Sequence, residues 1–265
     1  MSPDAPACLA AAAWKTDRGL VRPQNEDAAG LIRLPAHGAL LAVVCDGMGG
    51  HGGGEIASRA AVDAFRRWPR RNPLPEADAD RYEWLLGAFY AADGAVRKAG
   101  SRRMGLRDMG ATSVAALVTP RRCLALHAGD CRFYRFRPGA ETLHSADHSL
   151  VRILVHTGRI TEEQALTHPM RSTITSCLGG GPDARLTVDP RWAAEGPQPA
   201  FVDLLPGDTL LLCSDGLWGE APASEIEALV RERWGKPRLL AEACVAAAHG
   251  HGAADNITVA ALCVR

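Results

Sequence analysis

The sequence lacks the features that mark membrane, secreted and nucleic-acid-binding proteins. Although 47% of its 265 residues are apolar, no apolar run approaches the ~20 residues of a membrane-spanning helix. No basic segment precedes the short apolar run near the N-terminus, so a secretory signal is not expected. Basic and acidic residues both number 30, which leaves no basic field for nucleic acid or anionic lipid. We therefore predict a cytoplasmic protein that binds neither membrane nor nucleic acid.

The cysteine pattern also excludes some protein classes. None of the eight cysteines forms a C-x-x-C pair, and most lie inside apolar runs. This pattern is typical of small, buried, reduced side chains. It predicts neither a disulfide framework nor a structural zinc site.

The order of the apolar segments predicts the fold class. Strand-like runs lie near 7–14, 39–45, 111–118, 123–129, 131–136, 141–145, 208–216 and 256–264, and helical patterns lie near 55–68, 80–99, 222–234 and 237–249. Prolines predict a break over 69–80, and the Gly129-Asp130 step predicts a hairpin turn. Because strands and helices come in blocks, an α+β layered sandwich is favoured over a doubly wound sheet.

Acidic residues follow several of these strands. Two similar segments, LLAVVCDGMGG and TLLLCSDGLWG, each carry an apolar strand into Asp-Gly, at Asp46 and Asp215. A hairpin turn is the ordinary interpretation of a single Asp-Gly, but here a glycine-punctuated loop and a helix pattern follow each one. With Glu26-Asp27 and Asp255, they form a set of carboxylates at strand ends that could meet at one edge of a sandwich.

Clustered carboxylates repel one another unless cations neutralise them. Sites rich in oxygen ligands suit Mg²⁺ or Mn²⁺. Six of the eight residues after Asp46 are glycine, which would let a backbone carbonyl approach a metal and leave room for a phosphate.

Six motifs in order carry a family resemblance: TDRGLVRPQNEDA (16–28), VVCDGMGGHGGGEIAS (43–58), MGATS (109–113), HAGDCRFY (127–134), LLCSDGLWG (211–219) and ADNITV (254–259). Together they resemble the bacterial metal-dependent 2C-type (PPM family) serine/threonine protein phosphatases, from about residue 13 to 264. The resemblance implies a four-layer α-β-β-α sandwich of two mainly antiparallel sheets, with the metal site at one edge. It also implies one phosphatase domain over 1–265.

The resemblance implies a pair of Mg²⁺ or Mn²⁺ ions and a ligand set for them. Asp46 would bridge both ions, and Asp215 and Asp255 would bind the first. The Gly47 carbonyl would bind the second, and Glu26 would reach it directly or through water. Water activated between two ions roughly 3.5–4 Å apart would then attack phosphorus in line.

Other residues would support this reaction. Asp27 and Asn256 would contact the metal ligands rather than the ions themselves, and Asp27 would orient a metal-bound water. Arg22 would grip the substrate phosphate, because a guanidinium fork suits two phosphate oxygens; outside this motif it would be an ordinary surface arginine. Asp108 is a candidate ligand for a third metal ion, or simply a loop aspartate.

The sequence departs from the wider family pattern in a few places. Many eukaryotic members carry a histidine where this chain, like bacterial members, has Met48, so no residue is assigned to protonate the leaving group. His51 is interpreted as structural or exposed. Cys131 replaces a usual serine in a motif that is mainly architectural. Residues 147–180 correspond to a mobile flap, in which Arg171 could contact an acidic or phosphorylated peptide.

Two rival functions are consistent with parts of the sequence. CRFYRFR fits the C-x₅-R pattern of cysteine-dependent phosphatases, but its bulky alternating side chains indicate a strand rather than a phosphate-cradling loop. A degenerate, non-catalytic phosphoprotein-binding module is the other alternative, although such proteins usually lose the metal-binding acids. The expected partners are phosphoserine and phosphothreonine proteins, namely a eukaryotic-like bacterial kinase or its substrates.

Overall fold

The computed structural model describes residues 9–50, 52–182, 184–189 and 200–265. The strands are β1 (Leu9–Asp17), β2 (Asp27–Leu34), β3 (Ala39–Met48), β4 (Gly110–Val118), β5 (Arg122–Ala128), β6 (Arg132–Phe136), β7 (Leu143–His144), β8 (Leu178–Gly179), β9 (Phe201–Asp203), β10 (Thr209–Cys213) and β11 (Ile257–Val264). The α-helices are α1 (Gly53–Arg71), α2 (Asp78–Ser101), α3 (Leu150–His156), α4 (Glu162–Thr167), α5 (Asp215–Trp218), α6 (Ala223–Glu232) and α7 (Pro237–Gly250).

The strands form two antiparallel sheets. One has the order β1-β11-β10-β6-β7, and the other has the order β2-β3-β4-β5-β9, with β8 added beside β4. The central strands β4 and β11 are buried along their whole length. Burial on both faces explains why these strands are continuously apolar in sequence rather than alternating.

The layers follow from the two-residue period of the strands. In β3, Leu41, Val43 and Cys45 pack in one apolar cluster with α1 and α2. The alternate residues Leu40, Ala42 and Val44 pack in a second cluster against the other sheet. A third cluster joins that other sheet to α5, α6 and α7. Helices therefore cover the outer face of each sheet, and the predicted α-β-β-α sandwich is confirmed.

Strand β2 and the end of α1 are among the elements that differ from the sequence-based prediction. Strand β2 is not among the predicted strands, because glycine and arginine interrupt its apolar pattern. The glycine, Gly30, packs closely against α1, where an added Cβ would come 3.1 Å from the side chain of Val62. The predicted break over 69–80 begins later than expected, since α1 continues to Arg71 with Pro69 inside it, and the connection to α2 covers only 72–77. Pro69 has no amide to donate to the Phe65 carbonyl, but the helix persists for two more residues, and the amide of Asn72 reaches the Trp68 carbonyl at 3.0 Å.

The predicted hairpin at Gly129-Asp130 is wrong as well. β5 pairs with β4 and β9 in one sheet, whereas β6 pairs with β10 and β7 in the other. The step therefore carries the chain from sheet to sheet. Gly129 has a φ of 101°, and an added Cβ would lie 2.4 Å from the side chain of Thr112. A glycine is required at this tight crossing.

The helices of the described part of the chain include none with the length and apolar character needed to cross a membrane.

Candidate active site

The predicted site residues lie at strand ends along one edge of the sandwich. Asp27 begins β2 and pairs directly with Asp46 near the end of β3. Asp215 begins α5, two residues after β10, and Asp255 lies two residues before β11. Since β10 and β11 are antiparallel neighbours, the end of one and the start of the other share this edge. The topology thus gathers acids that are up to 228 residues apart in sequence, from 27 to 255.

The glycines after Asp46 allow the end of β3 to touch the first turn of α1. A Cβ added to Gly47 would lie 2.0 Å from the carbonyl oxygen of Gly54, and one added to Gly54 would lie 2.5 Å from that of Gly47. The same position on Gly54 is 2.7 Å from the carboxyl carbon of Glu26. The bare backbone of Gly54 therefore lets the Gly47 carbonyl and the Glu26 carboxylate lie side by side.

The carboxyl groups at this edge influence one another strongly. Burial raises the pKa of Asp46 well above its ordinary value, and the charges of Asp27 and Asp215 raise it further. Burial and Asp255 raise the pKa of Asp215, although a hydrogen bond with Asp46 opposes that rise. The pKa of Asp27 is raised by burial, with hydrogen bonds from Ser214 and Thr258 acting against it. The cluster carries more negative charge than its surroundings neutralise.

Among the residues that the structure describes, two buried carboxylate oxygens have no hydrogen-bond partner, Oδ1 of Asp27 and Oδ1 of Asp215. Buried polar atoms are normally paired, so such atoms require an explanation. A divalent cation would satisfy both the lone pairs and the uncompensated charge. The donors here are carboxylate and carbonyl oxygens, which are the ligands preferred by Mg²⁺ and Mn²⁺. The residues present therefore fit the predicted metal centre.

Asp255 is oriented differently from the other two predicted ligands of the first ion. Its Oδ2 accepts a hydrogen bond of 2.6 Å from Nη2 of Arg22. Asp46 and Asp215 influence each other's pKa, but the donor atoms of the three aspartates do not all lie within 4.8 Å of one another. The structure thus pairs the predicted phosphate-binding arginine with a predicted metal ligand.

Asn256 fixes the loop that carries Arg22 and Glu26. Its Nδ2 donates to the carbonyls of Arg18 at 2.8 Å and Gln24 at 2.9 Å, and its Oδ1 accepts from the amide of Glu26 at 2.8 Å. The side chain is buried, with 5% of the residue exposed. One amide group therefore ties the start of β11 to three points of the 18–26 loop.

Replacing Asn256 with alanine should reduce both stability and activity. Three backbone groups lose their partner, and each buried unsatisfied group costs about 1–3 kcal/mol. We expect a lower Tm in thermal unfolding and a raised KM, because the loop no longer holds Arg22. Asn72→Ala is a matched control, since Asn72 Nδ2 bonds one carbonyl at the remote end of α1. A KM that is no higher in Asn256→Ala than in the Asn72→Ala control would contradict this role.

Asp27 is held from the opposite sheet. Ser214 Oγ donates to Asp27 Oδ2 at 2.7 Å and accepts from the amide of Thr258 at 2.9 Å. The hydroxyl thus joins β2 of one sheet to the ends of β10 and β11 of the other. This contact links the two sheets at the carboxylate edge. Ser214 is not among the predicted site residues.

Asp130 is a further acid in the cluster that is absent from the predicted set. Its pKa is raised by burial and by the charges of Asp215 and Asp147, and its own charge raises the pKa of Asp46. Its carbonyl accepts from Nε1 of Trp218 at 3.0 Å. Arg132, next but one in the chain, stacks 3.6 Å over the Trp218 ring. The crossing between sheets, which the sequence did not predict, brings Asp130 here.

Comparison with known proteins identifies the family. The sequence model described as "Protein phosphatase 2C" matches residues 22–239. This chain belongs to the protein phosphatase 2C family. The serine/threonine phosphatase Stp of Listeria monocytogenes is 32% identical over 252 residues, which cover 94% of this chain and 93% of that protein.

Solved protein phosphatase 2C structures agree with this fold. The catalytic domain of the serine/threonine phosphatase PstP, in complex with two manganese ions, has a TM-score of 0.78 at 29% identity, covering 97% of this chain and 99% of the other. Stp1 from Staphylococcus aureus has a TM-score of 0.82 at 31% identity, covering 96% and 94%. The expected bacterial-type family is therefore confirmed.

The remaining predicted residues of this protein phosphatase 2C chain lie as follows. Asp108 is exposed, and its carboxylate faces the backbone of Gly181. Met48 ends β3 and is half-buried, and Arg171 is exposed in the 147–180 segment. His51 lies outside the described residues.

Cys131 does not have the environment of a nucleophile. It is fully buried, its Sγ lies 3.2 Å from Thr112 Oγ1, and burial together with the charges of Asp46 and Asp130 raises its pKa well above the ordinary value. Reactive cysteines have lowered pKa values and accessible thiols. The cysteine-dependent alternative is therefore incompatible with this site.

Proposed function

We propose that this protein hydrolyses phosphoserine and phosphothreonine in proteins at a centre of divalent metal ions held by the carboxylate edge. The observation that carries the proposal is the cluster of acids with raised pKa values around Asp46, two of which have buried oxygens without a partner. Membership in the protein phosphatase 2C family makes the chain a metal-dependent protein phosphatase. The non-catalytic alternative is not favoured, because the acids expected for metal binding are all present.

We assign ligand roles to the residues of the edge. Asp46 would be shared by two ions, with Asp215 and Asp255 on one side and the Gly47 carbonyl and Glu26 on the other. The mutual effect of Asp46 and Asp215 on their pKa values supports the first group of ligands, and the adjacency of Glu26 and Gly47 beside Gly54 supports the second. For a third ion, Asp108 stays the proposed ligand, and Asp130, whose charge raises the pKa of Asp46, is a further candidate.

When bound, divalent ions lower the pKa of coordinated water and neutralise charge on the phosphoryl oxygens. The chain's own residues would bind and orient the substrate. The Arg22 guanidinium would exchange its contact with Asp255 for two phosphate oxygens, and the released Asp255 carboxylate would then be available as a ligand. Asp27, fixed by Ser214, would orient the attacking water from behind Asp46.

Arg22→Ala should mainly raise KM. The side chain is half exposed, at 51%, so it is accessible to a substrate, and losing one bidentate phosphate contact of about 1.5–3 kcal/mol corresponds to roughly 10- to 100-fold. Arg22→Lys should recover part of this loss, because lysine keeps the charge but not the fork. Steady-state kinetics on a phosphothreonine peptide measures the effect.

Arg59→Ala is the control for Arg22→Ala, since Arg59 is an exposed arginine of α1 that pairs only locally with Glu55, at 2.7 Å. Equal KM values in Arg22→Ala and Arg59→Ala would remove the phosphate-binding role.

The function is tested by hydrolysis of phosphoserine, phosphothreonine and phosphotyrosine peptides with added Mn²⁺, added Mg²⁺ or a chelator. We expect turnover of the first two peptides with metal and none with chelator. Binding of the peptides without turnover under all metal conditions would instead favour the phosphoprotein-binding module. The Mn²⁺ and Mg²⁺ series would show which ion gives the higher kcat/KM.

We further propose that the substrates are products of a serine/threonine kinase and that the 147–180 segment is the flap that contacts them. The segment begins at Asp147, which pairs with Arg132 at 2.7 Å. It ends near Gly179, whose amide donates to Asp93 of α2 at 2.8 Å. Between these anchors, Ile153 and Met170 are about half exposed and offer apolar contact to a peptide. Dephosphorylation of a purified kinase autophosphorylated on threonine would test this partner.

A further inference from the structure

A second group of ligand-type side chains lies at the base of the 147–180 segment. It consists of His127 on β5, His148 just before α3, and Asp189, which pairs with β5 through a bridge to His127. The candidate ligand atoms of these three residues all lie within 4.8 Å of one another. None of the three belongs to the carboxylate edge described above.

The two imidazoles are buried and close together. His127 is 2% exposed and His148 is 8% exposed, and their ring centroids are 4.4 Å apart. Burial and the neighbouring His148 lower the pKa of His127 to about 4, so this ring is neutral at physiological pH. A neutral imidazole has a free lone pair, which is the form that binds metals.

The hydrogen bonds determine which nitrogen of His127 is available. Its Nε2 lies 2.6 Å from the carbonyl oxygen of Ala146, and a carbonyl can only accept, so Nε2 carries the proton. Nδ1 is therefore the atom with the lone pair. Histidine ligands in metal sites usually donate their other ring N–H to a carbonyl or carboxylate in this manner.

His148 directs a buried nitrogen toward Asp189. Its Nε2 is buried and makes no hydrogen bond, yet it lies 3.3 Å from Asp189 Oδ2. Two ligands at about 2.0–2.1 Å from a tetrahedral ion are about 3.3–3.4 Å apart. The separation of these two atoms already matches one edge of such a coordination sphere.

We propose that His127, His148 and Asp189 form a separate binding site for one Zn²⁺-class ion, with His127 Nδ1, His148 Nε2 and an Asp189 carboxylate oxygen as ligands. Two nitrogens and one carboxylate select Zn²⁺, Co²⁺ or Ni²⁺ over Mg²⁺, which prefers oxygen. The cysteine pattern, from which no structural zinc site is predicted, carries no information on this histidine-based set.

Binding requires one proton to move. The amide of Gly129 donates to His148 Nδ1 at 3.3 Å, so Nδ1 holds a lone pair and a ring proton is on Nε2. When the ion takes the Nε2 lone pair, this proton passes to Nδ1, and the long Gly129 bond is lost. The Gly129 amide resonance should therefore shift when Zn²⁺ is added, which gives a local readout that does not depend on activity.

The test is Zn²⁺ titration of the full chain in excess Mg²⁺, followed by calorimetry, with Co²⁺ absorption as the spectroscopic signature of nitrogen ligation. We expect one Zn²⁺ per chain in the wild type and at least a tenfold weaker affinity in His148→Gln and Asp189→Asn. His251→Gln is the matched control, because His251 also pairs with an acid, Glu225 at 2.7 Å, but at the surface. The Asp189 side chain is partly exposed, so the Asp189→Asn variant should fold. A Zn²⁺ affinity in this variant equal to that of the wild type would overturn the proposal.

Two further measurements separate this site from the phosphatase centre. Anomalous scattering at the zinc edge should place the ion among the three side chains, and a peak elsewhere would overturn the assignment. Asp215→Asn should abolish phosphatase activity yet retain the Zn²⁺ affinity in excess Mg²⁺. Loss of that Zn²⁺ affinity in Asp215→Asn would show that the ion binds the carboxylate edge instead.

Discussion

Replacing Asp46 with asparagine is expected to abolish hydrolysis while making the metal-free protein more stable. The proposed shared ligand would be lost, and removal of a principal charge-stabilising group at a phosphoryl-transfer site costs at least about 10³-fold in kcat. Stability should rise because an acid that is repelled by the charges of Asp27 and Asp215 becomes a neutral amide of the same shape. A gain of about 1 kcal/mol corresponds to roughly 2–4 °C in Tm.

The opposite signs of these two effects make Asp46→Asn informative. A merely structural aspartate would lose stability on the same substitution. Asp208→Asn provides this comparison, because Asp208 is buried and its charge is satisfied by Arg137, which it binds through both oxygens, at 2.8 and 2.7 Å. We expect Asp208→Asn to lower Tm and leave the kcat of the folded enzyme near the wild-type value. Near-normal kcat in Asp46→Asn would remove the proposed metal ligand set.

The second large effect is a reversal of the pH dependence of stability when metal is added. In the metal-free protein, burial and mutual repulsion raise the pKa values of Asp27, Asp46, Asp130 and Asp215. An acid with a raised folded-state pKa binds more protons when folded than when unfolded. Its contribution to stability is present below the unfolded pKa near 4 and is lost as pH rises through the folded pKa. The metal-free protein should therefore be more stable at about pH 5 than at about pH 8.

Divalent ions compete with these protons and should invert the trend. Metal binding requires ionised carboxylates, so Mn²⁺ should raise Tm most at about pH 8 and least at about pH 5. An ion at 100 times its Kd adds about 2.7 kcal/mol to the free energy of unfolding. Thermal unfolding with chelator and with Mn²⁺ at both pH values measures the four conditions. Asp46→Asn should flatten the metal-free slope, and a chelator-treated wild type that gains stability toward pH 8 would contradict the electrostatic account.

Local sequence patterns predicted much of the fold because burial leaves a direct signature in residue type. The continuous apolar runs of β4 and β11 mark strands covered on both faces, and the motifs around Asp46 and Asp215 mark strands that end in acids. Strand β2 was harder to predict, since Gly30 sits against α1 and not in a run of branched side chains. Pro69 misled because α1, which packs in one apolar cluster with β3 and α2, continues past a residue that cannot donate to the Phe65 carbonyl.

The sequence by itself determined the family, the layered fold and the acids that could bind metal, since these follow from residue types and their spacing along the chain. Only the tertiary structure decided which groups meet. It showed Asp130 beside Asp215, because the chain crosses between sheets at Gly129; it paired Arg22 with Asp255; and it joined His127, His148 and Asp189 at the base of the 147–180 segment. Such contacts depend on how antiparallel strands and the two sheets are placed in space, and no local pattern encodes the distance between side chains that are far apart in the chain.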